Sequence, residues 1–301
     1  MIALTDINSA PVYLRRSVLS VPSINTRALQ KVHDLDCDAV IFDLEDSVAS
    51  EKKIEARGNL RQHFRENPLK ETVAVIRTNP LDSDFGRADM DLVIEALPDA
   101  VLIPKVEQFS DVQAVADILS DAGVKANVAI WAMIETPKGI LNAAAIAVAD
   151  ERLQCFVVGL NDLRKATGVL PEPGRSYLVP WLMQILLVGR AHGMVVIDSV
   201  FNDFKDSDAF DAECAQGRAM GFSGKMLIHP SQIEPANRHF GPSLQAVREA
   251  QEIVAAFSQL EAQNLNVINL NGQMVERLHL AEAEKLLAEA AFIAKRERKS
   301  S

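Results

Sequence analysis

Cysteine is scarce in this chain. Three occur in 301 residues, Cys37, Cys155 and Cys214, far apart and with no CxxC spacing. That excludes a disulfide framework and a thiolate metal site, and each cysteine reads as a small buried hydrophobe. Aromatics are also few at 5%, with two Trp and two Tyr, as suits an α/β core built from Ala, Val, Leu and Ile. Positive charge is in deficit: 31 Lys+Arg against 41 Asp+Glu give a net charge of −10. A general nucleic-acid binder needs a basic footprint that this balance does not supply. A local basic cluster can still capture an anionic small molecule. No apolar run approaches the ~18 residues of a membrane span. The start, MIALTDINSAPVYLRRS, lacks a basic segment leading into a long apolar stretch and does not read as a signal peptide. The expectation is a soluble, cytoplasmic protein without a nucleic-acid or membrane partner.

What the chain does have is apolar sequence, 48% of it, in a regular order. Eight short apolar runs recur, at residues 18–22, 39–46, 73–79, 100–107, 127–135, 155–162, 195–200 and 224–230. Stretches of helical periodicity separate them. Strands alternating with helices predict a (β/α)8 TIM barrel, and 301 residues hold one barrel of about 250 plus an extension. Gly123, Gly193 and Gly221 follow amphipathic stretches, where left-handed helix caps belong. Thr136-Pro137 supplies an N-cap and a first-turn proline. Residues 164–176 read as a polar, irregular loop flanking the barrel mouth. Beyond the last run, residues 243–263 read as an amphipathic helix and 264–272 as an Asn-rich segment with a short alternating core. Residues 274–298 read as a second helix with a basic end. The predicted organisation is a catalytic barrel over residues 1–240 and a helical extension over 241–301.

The strand ends carry the chemistry. In such a barrel the C-terminal ends form the active face, and Glu45, Asp46, Arg77, Lys105, Glu135, Asp162, Asp198 and His229 fall there. Glu135 and Asp162 end adjacent runs and can converge on one hard cation. Mg²⁺ takes one or two carboxylates and leaves its other positions to water and substrate oxygens. No His/Cys cluster competes for zinc. Arg77 suits bidentate capture of a carboxylate, or of a thioester enolate oxygen, with a rim salt bridge as the plainer alternative. In Phe42-Asp43-Leu44-Glu45-Asp46, alternation sends Asp43 and Glu45 the same way. An acid there can orient a metal-bound water or hold Arg77 in place. Lys105 sits among acids that stabilise its charged form, so electrostatic support is favoured over a Schiff base. Arg15, Arg16, Arg27 and Lys31 surround the first strand and helix. Arg27 and Lys31, four apart, share a helix face; they read as a landing site for phosphates or as ordinary surface charges. His229 reads as a structural hydrogen-bonder or a substrate contact.

The segments RRSVLSVP, AVIFDLEDSVA, VIRTNP, AVLIPKVE, AMIETPKGILNA, VVGLNDL, GMVVIDSVFNDFKD and GKMLIHPSQIEPAN together resemble the HpcH/HpaI aldolase group, in particular its citrate lyase β-subunits and CoA-ester lyases. The resemblance runs from Arg15 to about Asn237, and NGQMVERLHLAEAEKLL extends it into the tail. It implies a barrel of the phosphoenolpyruvate/pyruvate type with a C-terminal helical lid. It puts Mg²⁺ on Glu135 and Asp162, and substrate on Arg77, with Lys105 and Glu135 lining the same site. CoA falls to Arg16, Arg27 and Lys31, and further substrate contacts to Ile228 and His229. The catalytic group is Arg77 with Glu45, Asp46 and Glu276, the last reaching a neighbouring subunit's site, which implies a homo-oligomer, a trimer or hexamer. The implied reaction is reversible cleavage of malyl-CoA, β-methylmalyl-CoA or citramalyl-CoA into acetyl- or propionyl-CoA and glyoxylate or pyruvate. Alternatives are a citrate lyase β-subunit acting on a carrier-protein thioester, a CoA-independent class II pyruvate aldolase, and a non-catalytic metabolite-binding barrel. Two positions depart from the family pattern. The first loop reads Val21-Pro22-Ser23 rather than Val-Pro-Gly, and the lid acid is Glu276 where human-type lyases carry Asp.

Overall fold

The computed structural model describes residues 14–124, 128–259 and 265–300. The amino-terminal stretch through Tyr13, Asn127 at the head of the fifth apolar run, and residues 260–264 of the tail lie outside them, as do the side chains of residues 297–300 at the basic end. Eight parallel strands close into a barrel in sequence order. They are β1 (Ser17–Pro22), β2 (Ala39–Asp43), β3 (Val73–Arg77), β4 (Ala100–Ile103), β5 (Ala129–Ile134), β6 (Leu153–Val158), β7 (Val195–Asp198) and β8 (Gly224–Leu227). Closure is the pairing of β1 with β8, Val18 opposite Met226. The outer helices are α1 (Thr26–Lys31), α2 (Lys53–Glu66), α3 (Gly86–Ala96), α4 (Phe109–Asp121), α5 (Pro137–Ile146), α6 (Leu160–Thr167), α7 (Val179–Ala191), α8 (Ser207–Met220) and α9 (Ile233–Phe240). This is the TIM barrel that the apolar runs predict.

Strand alternation divides the core in two. Val18, Ile41, Val75, Leu102, Trp131, Val157, Ile197 and Met226 form the inner cluster that fills the barrel. Their neighbours Leu19, Val40, Ile76, Val101, Ile130, Phe156 and Val196 form the larger layer beneath the helices. The expected punctuation is in place. Thr136 Oγ1 accepts from the Gly139 N–H at 3.0 Å with Pro137 in the first turn. Gly123, Gly193 and Gly221 have φ of +68°, +68° and +106°, which a side chain would strain. All three cysteines are buried; burial pushes the thiols of Cys155 and Cys214 up to about 12, so neither is a nucleophile.

Several boundaries differ from the sequence reading. The second run stops being strand at Asp43, so Glu45 and Asp46 lie on the following loop. The sixth strand begins earlier, at Leu153, and ends at Val158; Asp162 therefore sits in the first turn of α6 rather than at a strand end. The expected loop 164–176 is partly helical: its first residues complete α6, and Pro173–Arg175 form a 3-10 turn.

The compact unit that contains the barrel spans Arg15–Phe240, and Gly241–Ser301 belongs to a second unit. In that tail α10 (Leu244–Phe257) is capped by Ser243, whose Oγ accepts from the Ala246 N–H at 3.1 Å. Then β9 (Val267–Leu270) and β10 (Gln273–Glu276) form an antiparallel hairpin, and α11 (Arg277–Ser300) follows. Met274, Val275 and Glu276 are thus strand residues paired with Asn269, Ile268 and Val267, where the sequence reading begins a helix. The turn makes the difference. Asn271 and Gly272 take φ of +53° and +83°, a sharp reversal that pairs the alternating segment with its continuation. Among the described residues no helix is long and apolar enough to cross a membrane.

Candidate active site

Arg77, the last residue of β3, is the hub of the C-terminal rim. Its Nε and Nη2 donate to the two oxygens of Asp43, each at 2.6 Å, in a bidentate fork. Its Nη1 lies 3.0 Å from Glu45 Oε2. Asp43 ends the neighbouring strand in register with Arg77. It also accepts from the backbone N–H of Glu45 at 2.8 Å and of Ser47 at 3.2 Å. Burial alone would raise the Asp43 carboxyl; the Arg77 guanidinium outweighs it and holds that group below the ordinary carboxylate range. Burial would likewise lower Arg77, but the Asp43 charge raises it further above its already high value. Arg77 is therefore a fixed, permanently charged fork with its position set by Asp43 and Glu45. Of the two roles the sequence leaves open for acids on this loop, the geometry shows the holding of Arg77. Asp43 does most of it, and it is absent from the sequence-derived site residues although alternation already pairs it with Glu45.

Lys105 ties the cluster together. It follows β4 in a left-handed backbone conformation, φ +51°, a costly state for a residue with a side chain. That conformation aims its N–H at Glu135 Oε1, 2.8 Å away. Its Nζ donates to Glu45 Oε1 and lies 3.5 Å from Asp46 Oδ1. Burial would lower the Lys105 ammonium; the hydrogen bond to Glu45 outweighs it, so the group is held charged. Lys53 on α2 supports the same loop from behind, donating to the carbonyls of Leu44 and Glu45 at 2.8 and 2.7 Å. Asp46 is largely exposed at the edge.

Glu135, just after β5, is 1% exposed. Burial and then the charge of Glu45 push its carboxyl up to about 8, with Asp162 adding and the Lys105 N–H opposing. Glu45 itself is raised, by burial against the pull of Arg77. A charge deficit adds to burial: five acids, Asp43, Glu45, Asp46, Glu135 and Asp162, gather around three cations, Arg77, Lys105 and Lys53. A bound divalent cation relieves that deficit. Among the described residues no group of three or more His, Cys, Asp or Glu closes around a metal. The site offers the open two-carboxylate set, Glu135 and Asp162, that suits Mg²⁺.

The remaining expectations separate by rim. Arg27 and Lys31 are exposed on α1, directly after β1, on the same rim as Arg77. Ile228 and His229 follow β8 on that rim too. Ile228 N–H donates to Gln232 Oε1 at 2.9 Å, and the His229 ring stacks on Phe204 with centroids 4.5 Å apart. Arg16 does not join them. It precedes β1, at the opposite end of the barrel, and its Nε and Nη2 bind Asp38 at 2.8 and 2.9 Å. Its expected role at CoA is corrected to a structural one, because a residue that precedes its strand lies at the far rim. Asp198 is also corrected. It ends β7, but it points outward into a buried network with Arg175, Lys225 and Glu213. Glu276, at the end of β10, is exposed, and its N–H donates to His279 Nδ1 at 2.9 Å.

Comparison with known proteins supplies the setting for this geometry. Residues 16–230 match the family described as HpcH/HpaI aldolase/citrate lyase. The chain is 44% identical over 279 residues to a (3S)-malyl-CoA thioesterase of Cereibacter sphaeroides, covering 93% of this chain and 95% of that protein. It is 36% identical over 283 residues to the citrate lyase subunit beta of Haemophilus influenzae, covering 92% and 97%. Among solved structures, the CitE protein of Mycobacterium tuberculosis in complex with magnesium, acetoacetate and coenzyme A superposes with a TM-score of 0.73 at 27% identity, covering 91% of this chain and 97% of that one. The match spans every strand of the barrel and every residue of the rim cluster, and the chain belongs to the HpcH/HpaI aldolase/citrate lyase family.

Proposed function

We propose that this chain is a Mg²⁺-dependent lyase acting on the CoA thioester of a carboxylated 3-hydroxy acid, of the malyl-CoA, β-methylmalyl-CoA or citramalyl-CoA type. The products are acetyl- or propionyl-CoA and glyoxylate or pyruvate. The observation that carries the reading is the Asp43–Arg77–Glu45–Lys105–Glu135 cluster, a fixed guanidinium beside a buried carboxylate short of positive charge. Glu135 and Asp162 would hold Mg²⁺, which when bound polarises the hydroxyl and carboxylate oxygens of the substrate. Arg77 stabilises the oxygen of the thioester enolate released by C–C cleavage. Asp43 and Glu45 keep the guanidinium immobile, so no reorganisation is needed as that charge develops. Lys105 keeps Glu135 and Glu45 at fixed separation. Arg27 and Lys31 bind CoA phosphates at the exposed edge. The substrate hydroxyl gives up its proton to solvent as the C–C bond breaks, and Glu276 from a neighbouring copy in a homo-oligomer delivers one to the enolate carbon, so protons balance; Glu276→Gln with near-normal turnover would remove it from that role.

A second reading, hydrolysis of the same thioester, is favoured by the 44% identity to a malyl-CoA thioesterase. The two differ in the bond that breaks, so one assay decides. Each CoA ester is incubated with Mg²⁺ or EDTA while keto acid and free thiol are followed together. Keto acid without thiol, lost in EDTA, supports the lyase. Thiol without keto acid supports hydrolysis. Neither product, with the ester still bound, would overturn both.

A further inference from the structure

Helix α6 carries Asp162 in its first turn and lacks a cap of its own. Its N-cap residue, Gly159, offers no side chain. Helices α1, α5, α8 and α10 are capped by their own Asn25, Thr136, Asp206 and Ser243, while α2, α3 and α7, like α6, have no side-chain cap of their own; what sets α6 apart is glycine at the N-cap and an acceptor lent by another strand. The reason for glycine is steric. A Cβ on Gly159 would stand 2.5 Å from Glu135 Cβ and closer still to Oε2. The buried metal carboxylate thus forbids the residue types that normally cap a helix.

The missing acceptor comes from the next strand. Ser199, fully buried just after β7, accepts the Leu160 N–H on its Oγ at 3.1 Å. Ser199 is fixed in turn, its own N–H donating to Asp198 Oδ1 at 2.8 Å. Asp198 is locked by Arg175 Nη1 at 2.7 Å and Lys225 Nζ at 3.0 Å. A second tie runs alongside. Asn161 and Asn202 exchange side-chain amide hydrogen bonds at 3.2 and 2.8 Å, one residue before Asp162 and on the same β7 loop as Ser199.

We propose that Ser199, anchored by Asp198, is a positioning residue that caps α6 from the neighbouring strand and so sets Asp162 opposite Glu135 for divalent-cation binding. The inference rests on the metal role given to Glu135 and Asp162 above. Ser199 touches neither substrate nor metal; it acts through the α6 backbone.

The test is Mn²⁺ binding to the full chain, by calorimetry and by the loss of free-ion EPR signal, without substrate. Ser199→Ala should weaken Mn²⁺ about tenfold, the lower end for removing a group that orients a metal ligand, while Ser199→Thr, which keeps the hydroxyl, stays within about twofold. Turnover should follow the same order and be restored in Ser199→Ala by excess Mg²⁺, a KM-type effect on the metal. Folding is checked by far-UV circular dichroism. If Ser199→Ala folds and binds Mn²⁺ as the wild type does, the inference is overturned while the metal site stands. If Ser199→Ala fails to fold, Ser199→Cys, which keeps the side-chain volume but offers only a weak acceptor to the Leu160 N–H, is read instead: wild-type Mn²⁺ binding there overturns the inference, and a several-fold loss upholds it. A wild-type chain that binds no Mn²⁺ overturns the metal site and this inference with it.

Discussion

The barrel holds two buried charge clusters, and they are built on opposite principles. At the mouth, Asp43, Glu45 and Glu135 share Arg77 and Lys105. On the wall between β7, β8 and α8, Asp198 and Glu213 face Arg175 and Lys225. The wall cluster balances, two charges of each sign. Burial would raise the Asp198 carboxyl, yet Lys225 and Arg175 outweigh it and hold the group below the ordinary range. The mouth cluster does not balance, and Glu135 is pushed up to about 8. Equal burial with unequal compensation separates a group held in its charged form by its neighbours from one whose charged form is left uncompensated.

The contrast can be broken from the mouth first. Glu135→Gln should lower turnover by at least ~10³-fold and abolish Mn²⁺ binding. It should also leave the metal-free fold as stable or more so, because an uncompensated acid is gone. Thermal melts in EDTA beside the CoA-ester assay check both halves. Breaking the wall gives the opposite signature. Asp198→Asn leaves the buried Arg175 and Lys225 with Glu213 as their one remaining acidic partner in the cluster and should cost about 3–5 kcal/mol in urea unfolding.

A gentler test uses pH. The cation competes with the proton on Glu135, whose carboxyl sits at about 8 without metal. Apparent Mn²⁺ affinity should therefore fall about tenfold per unit as pH drops from 8 to 6, and level off above 8. A flat profile over that range would mean Glu135 is not a ligand. The smallest effect belongs to His63, buried on α2 against Phe42. Burial, with His33 adding, lowers it to about 4. The unfolded chain then binds the extra proton, so stability is full above about 6.5 and declines as pH falls towards 4. His63→Gln should flatten the urea midpoint across that window, sharpening the difference between a group with no counter-charge and the paired clusters.

The barrel was legible because its strands are buried on both faces and read as unbroken apolar runs. Their ends were less so. Asp162 looks like a strand terminus until Gly159 is seen to stop the strand against Glu135. Arg16 and Asp198 have the right chemistry near the right strands. For Arg16 the order of the chain already places it before its strand and so at the far rim; for Asp198 a strand-end position does not say whether the side chain faces the lumen or the helices until pairing fixes register. Asp43 was visible in the alternation beside Glu45, yet only the structure shows the fork on Arg77. Ser199 carries no sequence signal at all, since its partner is a backbone N–H 39 residues away.

Gly159 makes the state of the site readable without any structure. Its backbone, φ −111° and ψ 89°, is open to any residue, so conformation alone does not demand glycine there. Only the Glu135 side chain does. In a chain of this fold, a larger residue at that position announces that the carboxylate beside it has moved or vanished.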